Sequence, residues 1–111
     1  MNYVNFETAK GTYRLRLNTR NLVLLEQNLN ENPLPALLRY LGREEIPPME
    51  LMIKILHASL LAYHPDMTED KAYEVFDEWL DDNHIIAEFL PVIISIYRQA
   101  GLIEKGNDEK N

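Results

Sequence analysis

Apolar and polar positions alternate near the start of the chain. Tyr13, Leu15 and Leu17 fall on one side of an extended backbone and Thr12, Arg14 and Arg16 on the other, which is the period of a half-buried strand. Val4 and Phe6 begin a similar alternation, and Thr8-Ala9-Lys10-Gly11 between the two runs supplies a turn ending in glycine. The pattern predicts a β-hairpin over residues 3–17. Two strands are marginal on their own in water, so the hairpin has to lie on other elements or pair an edge with another chain.

From Asn18 the period becomes helical. Leu22, Leu25, Glu26 and Leu29 follow an Asn18-Thr19 start that can cap the first amides, and this helix stops near Asn30. Asn32-Pro33 opens a short helix through Leu34, Leu37, Leu38 and Leu41, with Gly42 expected as its left-handed stop. Pro47-Pro48 then introduces a longer helix from Met49 to about Tyr63, in which Met52, Ile53, Ile55, Leu56, Ser59, Leu60 and Tyr63 leave little polar surface. A helix apolar nearly all round belongs at the centre of a core. His64-Pro65 ends it, because a residue before proline is pushed out of the helical region.

Thr68 caps the next helix, with Glu69 and Asp70 at its positive end. Ala72, Val75, Phe76, Trp79 and Leu80 recur on it at core spacing. The last helix, about His84 to Ala100, carries Ile86, Phe89, Leu90, Ile93 and Tyr97 on one face and Ile85, Val92 and Ile96 on another. Pro91 is expected to kink or split it, Gly101 to end it, and residues 104–111 to form a disordered polar tail. The fold class is α+β, mainly α: an N-terminal β-hairpin followed by a compact bundle of four to five helices, with residues 18–103 helical and residues 1–103 forming a single domain.

With 111 residues, 46% of them hydrophobic, the chain has material for one core. The absence of cysteine excludes disulfides, thiolate metal sites and a cysteine nucleophile, and suits a reducing cytosol. The first residues have neither the basic nor the apolar region of a signal peptide, and no later apolar run spans a bilayer, so neither export by that route nor membrane association is expected.

Charge changes this picture more than composition does. Between Asp66 and Glu88 there are nine acidic residues and one base, Lys71, whereas both flanks are nearly neutral. Such a body meets a basic partner or stays soluble by self-repulsion, and it is poorly suited to binding nucleic acid. Glu74, Asp77, Glu78, Asp81 and Asp82 are the candidate partner-binding residues. Like charges four apart on a helix each cost a few tenths of a kcal/mol, and no base lies between these to offset the repulsion. That favours a docking role; the general frequency of solvated acidic faces favours solubility, and both readings stand at this level. Arg14 and Arg16 protect a strand edge or form a self-association face that meets the acidic helix of another copy.

No catalytic or cofactor signature appears. His57 lies in the most apolar helix, where a hydrogen-bonded core histidine is the expected role, and Ser59 and Ser95 lie within helices rather than in a nucleophile turn. There is no glycine-rich phosphate loop, and the acidic stretch lacks the glycine bend of a calcium loop. A non-enzymatic protein without cofactor or metal is expected.

Several segments occur in a telling order. They are Leu17-Asn18-Thr19-Arg20-Asn21-Leu22-Val23-Leu24-Leu25-Glu26, Asn32-Pro33-Leu34, Leu56-His57-Ala58-Ser59-Leu60, Val75-Phe76-Asp77-Glu78-Trp79-Leu80-Asp81-Asp82, Leu90-Pro91-Val92-Ile93 and Ala100-Gly101-Leu102-Ile103. Taken together, nearly the whole chain resembles the tail assembly chaperones of long-tailed phages and prophages of Gram-positive bacteria. The resemblance implies a cytoplasmic, non-enzymatic protein absent from the mature virion. Such a protein binds the long hydrophobic tape-measure protein, keeps it soluble and helps recruit tail-tube subunits.

The family offers no motif-level binding residues to carry over. It does imply a longer form made by ribosomal frameshifting, for which an A-rich slippery stretch encoding Glu109-Lys110-Asn111 is expected. The competing reading is an acidic phage-encoded inhibitor that mimics DNA to occupy a nucleic-acid-binding protein. It ranks lower because mimics spread charge over most of their surface. A third is a regulatory or structural module with no assembly role.

Overall fold

Strands β1 (Val4–Thr8) and β2 (Gly11–Leu15) form an antiparallel hairpin in which Val4 faces Leu15 and Phe6 faces Tyr13. The computed structural model describes residues 2–104. Thr8 pairs with Gly11 across a tight Ala9-Lys10 turn, and the Thr8 hydroxyl donates to the Gly11 carbonyl at 2.9 Å while accepting from the Lys10 amide at 3.1 Å. Gly11 enters β2 at φ 154°, a backbone state that suits glycine. The inward face carries Phe6, Leu15 and then Leu17, all buried.

Five α-helices follow: α1 (Thr19–Leu29), α2 (Pro33–Leu41), α3 (Met49–Leu60), α4 (Glu69–Leu80) and α5 (Phe89–Ala100), the last preceded by a single 3₁₀ turn at Ile86–Glu88. The Asn18 side chain caps α1 through the Asn21 amide, Asn32 caps α2 through Leu34, and Thr68 caps α4 through Lys71. Helix α3 is the hub, with Met52, Ile53, Ile55, Leu56 and Leu60 buried. Phe6, Phe76, Trp79 and Phe89 form an aromatic cluster where the hairpin meets α4 and α5, and Phe6 and Trp79 stack with centroids 5.6 Å apart. The hairpin therefore finds its missing layer on its own helices.

Three sequence expectations are corrected. Gly42 is right-handed, at φ −64°, and the left-handed stop of α2 is Glu44 at φ 55°. Bonds from the Glu45 amide to Tyr40 O and from the Glu44 amide to Leu41 O make this a Schellman end displaced beyond the glycine. Helix α3 ends at Leu60 rather than near Tyr63, and Tyr63 instead meets Tyr3 edge-on at 5.6 Å. The final helix starts at Phe89, five residues later than His84, so Pro91 occupies its first turn and α5 runs unbroken past it to Ala100. An absent N–H costs nothing there.

Gly101 does end α5 in the left-handed state, at φ 82°. The expected disordered tail lies outside the described residues except for Glu104. Among the described residues no helix is long and apolar enough to cross a membrane.

Candidate partner-docking face

Helix α4 turns its carboxylates in two directions. Its buried stripe is Ala72, Val75, Phe76 and Trp79. At 3.6 residues per turn, Glu74, Asp77 and Asp81 project about 150–170° from the middle of that stripe, whereas Glu78 projects about 110° from it, at the boundary with the hairpin. The structure follows this geometry. Glu74, Asp77, Asp81 and Asp82 are exposed, and none of them forms an ion pair among the described residues. No compensating base stands among them, so their repulsion is relieved only by solvent or by a partner.

Glu78 is half-buried and differently employed. Its Oε1 accepts from Tyr13 Oη at 3.0 Å and lies 3.4 Å from Thr8 Oγ1, while its backbone carbonyl accepts from the Ala9 amide at 3.0 Å. Burial, then the hydrogen bond to Glu78, then the charges of Glu78 and Glu74 push the Tyr13 phenol above its ordinary value. Glu78 thus clasps the hairpin to α4 and stands apart from the other four carboxylates of the predicted face.

Apolar anchors border the acidic residues. Tyr73 is exposed on α4 itself, and Ile85, at 65% exposure, follows Asp81 and Asp82 beside the partly exposed Ile86. Trp79, a tempting anchor by residue type, is only 3% exposed and lies between Phe6 and the His84 ring, which stacks on it at 4.3 Å. Sequence periodicity assigned Ile85 and Ile86 to a helix. Their exposure follows from the later start of α5.

The two arginines have unlike settings. Arg14 lies on the outer face of the hairpin with its guanidinium 4.7 Å above the Tyr3 ring and 5.8 Å from that of Tyr63. Arg16 is half-buried, and its amide donates to Ser59 O at 2.7 Å, tying β2 to α3. The Arg14 amide donates to His64 Nε2 at 3.3 Å, which requires the neutral imidazole to carry its proton on Nδ1. Burial first, and the Arg14 charge second, hold His64 below its ordinary pKa.

His57, Ser59, His84 and Glu88 have local partners. His57 Nε2 donates to Met67 O at 3.0 Å and Ser59 Oγ donates to Leu56 O at 2.9 Å. His84 Nδ1 meets Glu88 Oε1 at 3.3 Å, and the same carboxylate accepts from the Ile85 amide, the main cause of its lowered pKa. Among the described residues no three His, Asp or Glu side chains are placed to hold a metal ion. The outer side of α4 and its C-terminal end carry the unpaired carboxylates of Glu74, Asp77 and Asp81, Asp82 follows at the groove beside β1, and Tyr73 and Ile85 are the exposed apolar residues of this stretch. No protein-family model, curated protein or solved structure matches the chain.

Proposed function

We propose that the protein is a tail assembly chaperone that binds a tape-measure protein in the host bacterial cytoplasm, keeps it soluble and helps recruit tail-tube subunits. One observation carries the proposal: Glu74, Asp77 and Asp81 are unpaired on the outer side of α4 and Asp82 is unpaired just past its C-terminal end, with Tyr73 exposed on the same helix and Ile85 exposed a few residues further on. Apolar anchors supply affinity to an interface, and a surrounding ring of one charge selects and steers the partner. A long hydrophobic client with basic side chains fits both features, and the ordered sequence resemblance supplies the identity of that client. Arg14, on the outer hairpin face, and the half-buried Arg16 just past β2 are the proposed contact for a second copy.

Co-expression with fragments of a tape-measure protein is the direct test. The fragments stay in the soluble fraction and co-purify with the chaperone if the proposal is right. Fragments that precipitate equally with and without it, or preferential capture of a nuclease or polymerase, would contradict it.

A further inference from the structure

The two edges of the hairpin differ. On the β2 side, the Arg14 amide, which faces away from β1, is taken up by His64, and the Arg16 amide just beyond the strand by Ser59. On the β1 side the Ala9 amide is taken up by Glu78, and the pairing register turns the peptide groups of Asn5 and Glu7 to the same edge. Among the described residues no backbone bond beyond the ladder reaches either of them. The β1 edge is open over Asn5–Glu7.

A groove of about 470 Å³ runs beside the open edge, floored by the buried Phe6 and Trp79, with Val92 and the His84 ring at its side and Asn5, Glu7 and Asp82 as its polar lining. No Lys or Arg lines it. An unpaired strand edge next to an apolar groove is the geometry of strand addition, in which main-chain bonds give affinity and alternate side chains enter the groove. A second copy of this chain pairing β1 with β1 would bring Glu7 and Asp82 of both copies to one seam, and like charges across a strand pair are destabilising.

We propose that an extended client segment carrying Lys or Arg next to apolar residues adds as a strand to β1 at Asn5–Glu7, with a basic side chain on Asp82. The client's identity rests on the chaperone reading, whereas the site itself is testable without it.

The probe is a short alternating Lys-Val peptide, with an alternating Glu-Val peptide as control, titrated into the full chain and followed by amide NMR shifts. The Lys-Val peptide shifts the Asn5 and Glu7 amides and slows their hydrogen exchange, and the Glu-Val peptide does not. Asn5→Pro deletes an outward amide that the hairpin ladder does not use and weakens binding about tenfold, while Asn5→Ala retains it. Asp82→Lys leaves the strand intact and also weakens binding, which covers the case of a misfolded proline variant. Absent shifts at Asn5 and Glu7, an equal response to both peptides, or unchanged binding by folded Asn5→Pro and Asp82→Lys would overturn the site. Tape-measure fragments kept soluble by both wild type and Asn5→Pro would also overturn it, leaving the chaperone reading intact. Lys-Val binding at this edge supports the site even where tape-measure fragments precipitate, an outcome that counts against the chaperone reading alone.

Discussion

Tyr13 and Glu78, 65 residues apart in the chain, are joined by a hydrogen bond of 3.0 Å between phenol and carboxylate that fixes the hairpin to α4. Removing either partner loosens that seam. Tyr13→Phe is expected to cost about 0.5–1 kcal/mol, the lower part of the usual range because the pair is only partly withdrawn from water. Glu78→Lys is expected to cost more, since it also removes the acceptor beside Thr8. Asp77→Lys, on the exposed side of the same helix, is expected to be neutral or slightly stabilising because it relieves like-charge repulsion. Urea denaturation with an unchanged slope checks all three.

Alkaline stability should be limited by Tyr97. Its phenol is buried, donates to Pro33 O at 3.1 Å, and is pushed well above the ordinary tyrosine range by burial. A group whose folded pKa is raised contributes stability that is present below its unfolded pKa and lost as pH rises beyond it. The loss therefore begins at about pH 10, with the raised pKa of Tyr13 acting in the same direction. Phenolate absorbance during alkaline titration should show Tyr97 ionising together with unfolding. Tyr97→Phe should lower stability at pH 7 by about 1–2 kcal/mol and flatten its decline above pH 10.

On the acid side the sign reverses. His64 has a lowered pKa, so the unfolded chain takes up its proton first, and the stability His64 contributes is lost as pH falls from about 6.5 through the folded value. Protonation at Nε2 also removes the acceptor of the Arg14 amide. Urea midpoints measured from pH 8 to pH 5 should fall more steeply for the wild type than for His64→Gln. The lowered pKa of Glu88 acts in a separate window, below about pH 4.5.

The elements themselves were largely legible in the sequence because each rests on local periodicity or capping chemistry: alternation for the hairpin, Asn18, Asn32 and Thr68 as caps, and the apolar run of α3. Three boundaries depend instead on tertiary contacts or on turns that residue type does not fix. Tyr63 leaves the helical path where it meets Tyr3, Glu44 rather than a glycine takes the left-handed stop of α2, and α5 waits until Phe89 can enter the aromatic cluster. The acidic face was legible as a segment, and helical angles alone already set Glu78 apart from Glu74, Asp77 and Asp81. What reaches Glu78, and which outward amides of the hairpin find partners, depend on how the hairpin docks, which no local pattern encodes.

The most direct test of the docking face is capture of tape-measure fragments by the Glu74→Lys, Asp77→Lys, Asp81→Lys triple variant, which leaves Glu78 and Asp82 untouched. The predicted result is a folded protein of near wild-type stability that no longer keeps the fragments soluble, with the wild-type interaction itself weakening as salt is raised. A folded triple variant that captures the fragments as well as the wild type does would contradict the account and reduce the carboxylates of α4 to a solubilising surface.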